Sequence, residues 1–70
     1  MRQVLLYQDE DGVWIAEVPS LPGCHSDGTT QQEALDNVQE AIALWIDDAQ
    51  ANEEFVPDDF ENMMLVAVPA

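Results

Sequence analysis

Apolar and polar positions alternate with a different rhythm in each part of this chain. Residues 3–8 (QVLLYQ) and 13–18 (VWIAEV) are rich in β-branched and aromatic side chains. The segment Asp9-Glu10-Asp11-Gly12 between them ends in an Asp-Gly pair that favours a tight reversal, so the pattern predicts a β-hairpin. In Pro19-Ser20-Leu21-Pro22-Gly23 the two prolines withhold backbone donors and the glycine permits positive φ. The chain must turn there, and a short third strand is expected around Cys24 to Asp27, pairing back on the second.

From Thr30 the period changes. Thr30-Gln31-Gln32-Glu33 has the form of a capping box, in which the Thr30 hydroxyl accepts from the Glu33 amide and the Glu33 carboxylate reaches back. Beyond it Ala34, Leu35, Val38, Ala41, Ile42, Trp45, Ile46 and Ala49 fall within an arc of roughly 140° at about 100° per residue. This predicts an amphipathic helix ending near Ala51-Asn52. Residues 55–60 read as a connection, and residues 62–68 (NMMLVAV) as a last strand closed by Pro69.

The expected fold is therefore α+β, a single domain over residues 1–70. It has two layers, β-β-β-α-β, with a mixed sheet of order 3-2-1-4 and one helix on one face. A difficulty comes with it. Val4 and Leu6 oppose Leu5 and Tyr7 across strand one, Trp14, Ala16 and Val18 oppose Val13 and Ile15 across strand two, and the last strand is apolar on both faces. One helix can cover only one face, so a homodimer or higher oligomer is expected to bury the rest.

Charge narrows the function. Fifteen carboxylates stand against one cation, Arg2, for a formal charge of −14. Nucleic acids are held by Lys and Arg on phosphates, so direct nucleic-acid binding is excluded on electrostatic grounds, as is docking on an anionic membrane surface. A basic protein is the partner such a chain suits. The acidity does not mean disorder, because Leu, Ile, Val and Phe make up 18 of the 70 residues, above the roughly 20% below which charged chains stay unfolded. The lone cysteine, Cys24, precludes an intrachain disulfide, and neither a signal peptide nor an apolar run of membrane-spanning length is present. A cytoplasmic location is expected.

Candidate chemistry is sparse. Cys24 and His25 are adjacent, and adjacent strand residues point to opposite faces, so a nucleophile and base cannot readily meet there. Cys24 reads as a small buried filler. Glu17, Asp27 and Glu33 flank the Pro-Gly turn, but no second cation accompanies them to stabilise a phosphate. Residues 9–12 lack the spaced ligands of a calcium loop. No catalytic residue, no metal site and no cofactor is expected.

The outer face of the helix is more informative. Glu33, Asp36, Asn37, Glu40, Asp47 and Asp48 share an arc of roughly 120° opposite the apolar stripe, with Leu44 near its middle. An apolar residue ringed by carboxylates has the layout of a contact anchor with a polar rim. Glu33, Asp36, Glu40, Leu44 and Asp47 are the candidate partner-binding residues.

Glu17-Val18-Pro19-Ser20-Leu21-Pro22-Gly23-Cys24, followed by Gly28, Thr30, Glu33 and Ala34, resembles the "E-V-P-x-L-P-G-C" and "G-x-T-x-x-E-A-L" segments of HicB-family antitoxins. Tyr7, Asp11-Gly12 and Trp14 fit the family's opening strands. The resemblance implies an abbreviated RNase H-like β-β-β-α-β fold without nuclease chemistry. It also implies a small basic HicA-type toxin, an mRNA-cleaving protein, as the partner whose active surface is covered. On the same ground Pro19, Leu21, Pro22, Gly23, Cys24, Gly28, Thr30 and Ala34 are structural. Pro19, Pro22, Gly23 and Gly28 shape turns, and Thr30 with Glu33 caps the helix. Longer members of the family continue into a DNA-binding domain, whereas this sequence stops at Ala70, so autorepression is not expected. A homo-oligomeric adaptor for another basic protein or a small ligand is the alternative.

Overall fold

One aspartate builds the first reversal. In the computed structural model, which describes residues 1–70, Asp9 Oδ1 accepts from the backbone amides of Asp11 and Val13, both at 2.9 Å. The Asp9 amide donates to the Val13 carbonyl at 2.9 Å and the Gly12 amide to the Asp9 carbonyl at 3.1 Å. Gly12 stands at φ +85°, in the left-handed region that glycine enters without steric cost. The acidic turn is thus tied to its own backbone. It sets β1 (Leu5–Gln8) antiparallel to β2 (Trp14–Glu17), with Leu6 opposite Ala16 and Tyr7 opposite Ile15.

Two tight turns carry the chain from β2 to β3 (His25–Gly28). The Leu21 amide donates to the Val18 carbonyl at 3.1 Å and the Cys24 amide to the Leu21 carbonyl at 3.0 Å, while the Val18 amide closes on the Cys24 carbonyl at 3.0 Å. Gly23 takes φ +77°. Leu21 is driven wholly into the core by these turns and Cys24 is buried beside it, whereas Pro19 and Pro22 stay exposed. β3 pairs antiparallel with β2, Ala16 opposite Ser26, and the sheet order is β1-β2-β3.

The helix α1 (Gln31–Ala51) lies across one face of this sheet. Ala16, Val18, Leu21, Cys24, Ala34 and Val38 form the core, with Val4, Leu6, Trp14, Ile42, Trp45 and Ile46 packed around it. The opposite face carries Leu5, Tyr7, Ile15 and Glu17. Gly28 is where helix and sheet come closest: a Cβ there would stand 2.5 Å from the Ala34 nitrogen and 2.9 Å from the Glu33 carbonyl carbon. The close approach at this point leaves no room for a side chain.

The fourth strand does not form within the chain. Residues 62–68 carry no regular structure, so the order 3-2-1-4 reduces to three strands and the RNase H-like arrangement is not completed. The reason is where the chain returns after α1. The Gln3 amide donates to Asp59 Oδ2 at 2.9 Å and the Gln3 side-chain amide to the Phe60 carbonyl at 3.3 Å. Continued two residues beyond Leu5↔Glu17, the hairpin register brings Gln3 to the level of Pro19, where β2 has already ended. Asp59 supplies the acceptor that β2 no longer offers. Met63, Met64 and Leu65 then share a hollow with Gln3, Leu5 and Pro19 without pairing to β1 as a strand. Leu65 is 91% exposed and Met64 83%.

Candidate functional site

Thr30 starts the helix as its residue type predicts. Its backbone is extended (φ −131°, ψ 163°), and its hydroxyl accepts from the Glu33 amide at 3.1 Å. The Glu33 carboxylate reaches one residue further back than a simple capping box requires, accepting from the Thr29 amide and the Thr29 hydroxyl, each at 3.2 Å. The two Thr29 donors and the positive end of the helix dipole hold this carboxylate.

Two side chains then fix how α1 is rotated on the sheet. Asn37 Nδ2 donates to the Asp27 carbonyl at 2.8 Å and Trp45 Nε1 to the Pro22 carbonyl at 3.0 Å. Trp45 belongs to the apolar stripe, and its indole N–H needed a partner once the ring was packed; the Pro22 carbonyl, freed by the turn, provides one. Asn37, at one margin of the outer arc, thus turns its amide toward β3.

With the inner face fixed, Asp36, Glu40, Leu44 and Asp47 line an exposed stripe along the opposite side. Leu44 is 69% exposed. Asp36 accepts from Gln32 Nε2 at 2.9 Å, one turn away. Glu33 sits at the stripe's end but is engaged by Thr29, so Asp36, Glu40 and Asp47 are its freest carboxylates. Nothing basic occupies the last turn of the helix. Asp47, Asp48, Glu53 and Glu54 instead crowd the end where the dipole is negative. The stripe is a one-sign surface around one apolar side chain, which attracts cations over a distance and offers a desolvated point of contact.

Other combinations are kept apart. Cys24 is buried while His25 is exposed, and burial pushes the Cys24 thiol up, only partly offset by the Arg2 charge. It stays a protonated filler. Glu17 accepts from the Tyr7 hydroxyl at 2.9 Å, and that bond, with some desolvation and nearby acidic charge, raises the Tyr7 pKa. Glu17, Asp27 and Glu33 are not gathered around any point, and no group of three His, Cys, Asp or Glu side chains could hold a metal ion.

Arg2, the one cation, lies at the junction of the termini and not in any acidic stripe: its guanidinium donates to Ser20 Oγ at 3.0 Å. Burial works to raise the neighbouring Asp59 carboxyl. The Gln3 amide, the Ser20 hydroxyl, the Phe60 backbone and the Arg2 charge outweigh it and hold Asp59 below the usual carboxylate range. This junction was not visible in the sequence. A lone Arg near one end and an Asp near the other gave the only hint.

A family model described as HicB_like antitoxin of bacterial toxin-antitoxin system matches residues 3–69. A UPF0150 protein of Thermoplasma acidophilum is 43% identical over 56 residues, covering 80% of this chain and 81% of its own. Two UPF0150 proteins of Synechocystis are similar as well. One is 40% identical over 55 residues, covering 76% of this chain and 80% of its own. The other is 45% identical over 56 residues, covering 80% and 71%. No solved structure matches the chain. No helix is long and apolar enough to cross a membrane.

Proposed function

The chain belongs to the HicB-like antitoxin family, and from that premise we propose that it binds a small basic toxin of the HicA type and covers its active surface. Membership supports a role in a toxin–antitoxin system in general. The finer reading rests on one observation: a 21-residue helix presents Asp36, Glu40 and Asp47 on the same exposed stripe as Leu44, in a chain of net charge −14. A basic, RNA-cleaving protein is a partner complementary to such a stripe in charge. Its own cationic substrate-binding surface is what the acidic face would mask. In this reading the chain acts by binding, with no catalytic residue and no cofactor, and the pair works in the cytoplasm where mRNA is the toxin's target.

Asp36, Glu40 and Asp47 steer the encounter, Leu44 anchors it, and Glu33 contributes charge while keeping its capping bonds. Pro19, Leu21, Pro22, Gly23, Cys24, Gly28, Thr30 and Ala34 hold the scaffold and are not in the contact. The test is titration of the chain into purified HicA-type toxin, the cognate one being sought among the neighbouring reading frames, with RNA cleavage as the readout. Stoichiometric loss of cleavage together with complex formation supports the proposal. Undiminished cleavage at saturating concentrations of the chain overturns it.

A further inference from the structure

A strand without a place and a place without a strand occur in the same molecule. Residues 62–68 have the composition of a strand, two apolar rows formed by Met63, Leu65 and Ala67 and by Met64, Val66 and Val68, yet they pair with nothing. On the other side of β1, a cleft of about 420 Å³ opens between Arg2 and Val4 and the helix residues Leu35, Val38, Gln39 and Ile42. The Asp9 amide donates to the carbonyl of Val13, the residue just before β2. By the two-residue repeat of a strand, the backbones of Leu5 and Tyr7 also face β2, and those of Val4, Leu6 and Gln8 face outward with no strand beside them. The cleft is thus the space that a strand added at β1 would occupy, under the overhanging Leu35 and Ile42.

The chain's own tail does not fill it, since Met63, Met64 and Leu65 line a separate hollow with Gln3, Leu5 and Pro19 and no tail residue lines the cleft. Charge selects among other occupants. Two copies at −14 repel wherever acidic side chains meet, but residues 1–8 and 62–70 contain no Asp or Glu, and the one basic side chain, Arg2, is on the cleft wall. The cleft and the tail are therefore the surfaces through which two copies of so acidic a chain can approach. A further sign is the small core: only nine of the 70 residues are buried, little for a domain that must stand alone.

We propose that this protein self-associates by reciprocal strand exchange, residues 62–68 of each copy adding to the outward edge of β1 in the other and filling the cleft beneath Leu35 and Ile42. One apolar row of the incoming strand packs under the helix. The other extends the apolar outer face begun by Leu5 and Tyr7. The four-stranded order absent from one chain is completed by two.

Filtered nuclear Overhauser spectroscopy on a one-to-one mixture of labelled and unlabelled full-length chains reads this directly. Transfer between methyls of Leu65, Val66 or Val68 and those of Leu35 or Ile42 should appear only between differently labelled copies. Sedimentation equilibrium at about 50 μM should give a dimer or a multiple of it, and Val66→Pro should lower the association constant at least tenfold. Val66 is 63% exposed within one chain, so the variant keeps the circular dichroism of the folded protomer. A monomer, transfer confined to one copy, or an association unchanged by Val66→Pro would overturn the proposal.

Discussion

The backbone amide of Gln3 donates to the carboxylate of Asp59 at 2.9 Å, joining residues 56 apart in sequence. The bond stands at the level of Pro19, where β2 has ended, and it binds the end of the chain to its beginning. Because Asp59 is held below its ordinary value of 3.8, its stabilisation is present above that pH and is lost as pH falls through the lowered value. Asp59→Asn should therefore melt below the parent protein at pH 7, and the gap should close as pH drops from 4 towards 2. Carboxylates common to both proteins cancel in the comparison. A gap that persists at pH 2 would mean that the charge on Asp59 is not what matters.

Gly28→Ala should destabilise the fold by about 1–3 kcal/mol, because the new Cβ would press on backbone atoms of Glu33 and Ala34 that cannot rotate out of the way. Gly23→Ala meets no atom within 4 Å, and its cost, about 1 kcal/mol, comes only from φ +77°. Urea denaturation of the two variants distinguishes crowding from backbone strain.

The end of α1 gives a stabilising prediction. The Glu53 amide donates to the Gln50 carbonyl and the Glu54 amide to the Ala49 carbonyl, the double closure usually made with glycine at the position Glu53 occupies at φ 56°. Glu53→Gly should raise stability by up to about 1 kcal/mol, the relief of strain exceeding the added chain entropy. Glu53→Gln, which changes charge but not backbone preference, should recover only the electrostatic part. Thermal melts of both apportion the two effects.

Low salt should weaken the whole molecule. Fourteen uncompensated charges repel over a Debye length of about 30 Å at 0.01 M but only about 10 Å at 0.1 M, so the melting temperature should rise between those salt levels. An unchanged or lower midpoint at 0.1 M would show that repulsion does not limit the fold.

For the proposed toxin complex, Leu44→Ala should mainly speed dissociation, with a loss of about 1–2 kcal/mol. Asp36→Asn combined with Glu40→Gln should mainly slow association at low salt and have little effect at high salt. Surface plasmon resonance separates the two, each variant first confirmed as folded. Tight binding indifferent to all of these changes would move the interface off α1.

What could be read from the sequence was local. Thr30 and Glu33 are three residues apart, and their bond depends on little beyond that spacing. The helical period puts Val38 on the inner stripe and Leu44 on the outer arc, but it does not say whether the face of Leu6 and Ala16 or that of Leu5 and Tyr7 is the one α1 covers. The bonds that were missed join distant segments: Asn37 to Asp27, Trp45 to Pro22, Gln3 to Asp59. Each follows from the angle at which two elements meet, which no short window of sequence specifies. Residues 62–68 mark the boundary between the two cases. Their strand-like composition was legible, but the edge they join is not a property of the segment, and within one chain Asp59 directs them elsewhere.

The far end of α1 bears on how tightly a partner is held. Asp47, Asp48, Glu53 and Glu54 crowd a helix terminus that is already negative and has no basic residue in its last turn. The free protein therefore keeps that terminus slightly sprung. A cation arriving nearby relaxes the spring whether or not it touches any of the four, and the energy released adds to the affinity. By the reciprocity of linked equilibria, the bound helix is harder to fray than the free one by the same amount. Grip on a basic partner and firmness of the last helical turn are then a single quantity seen from two sides.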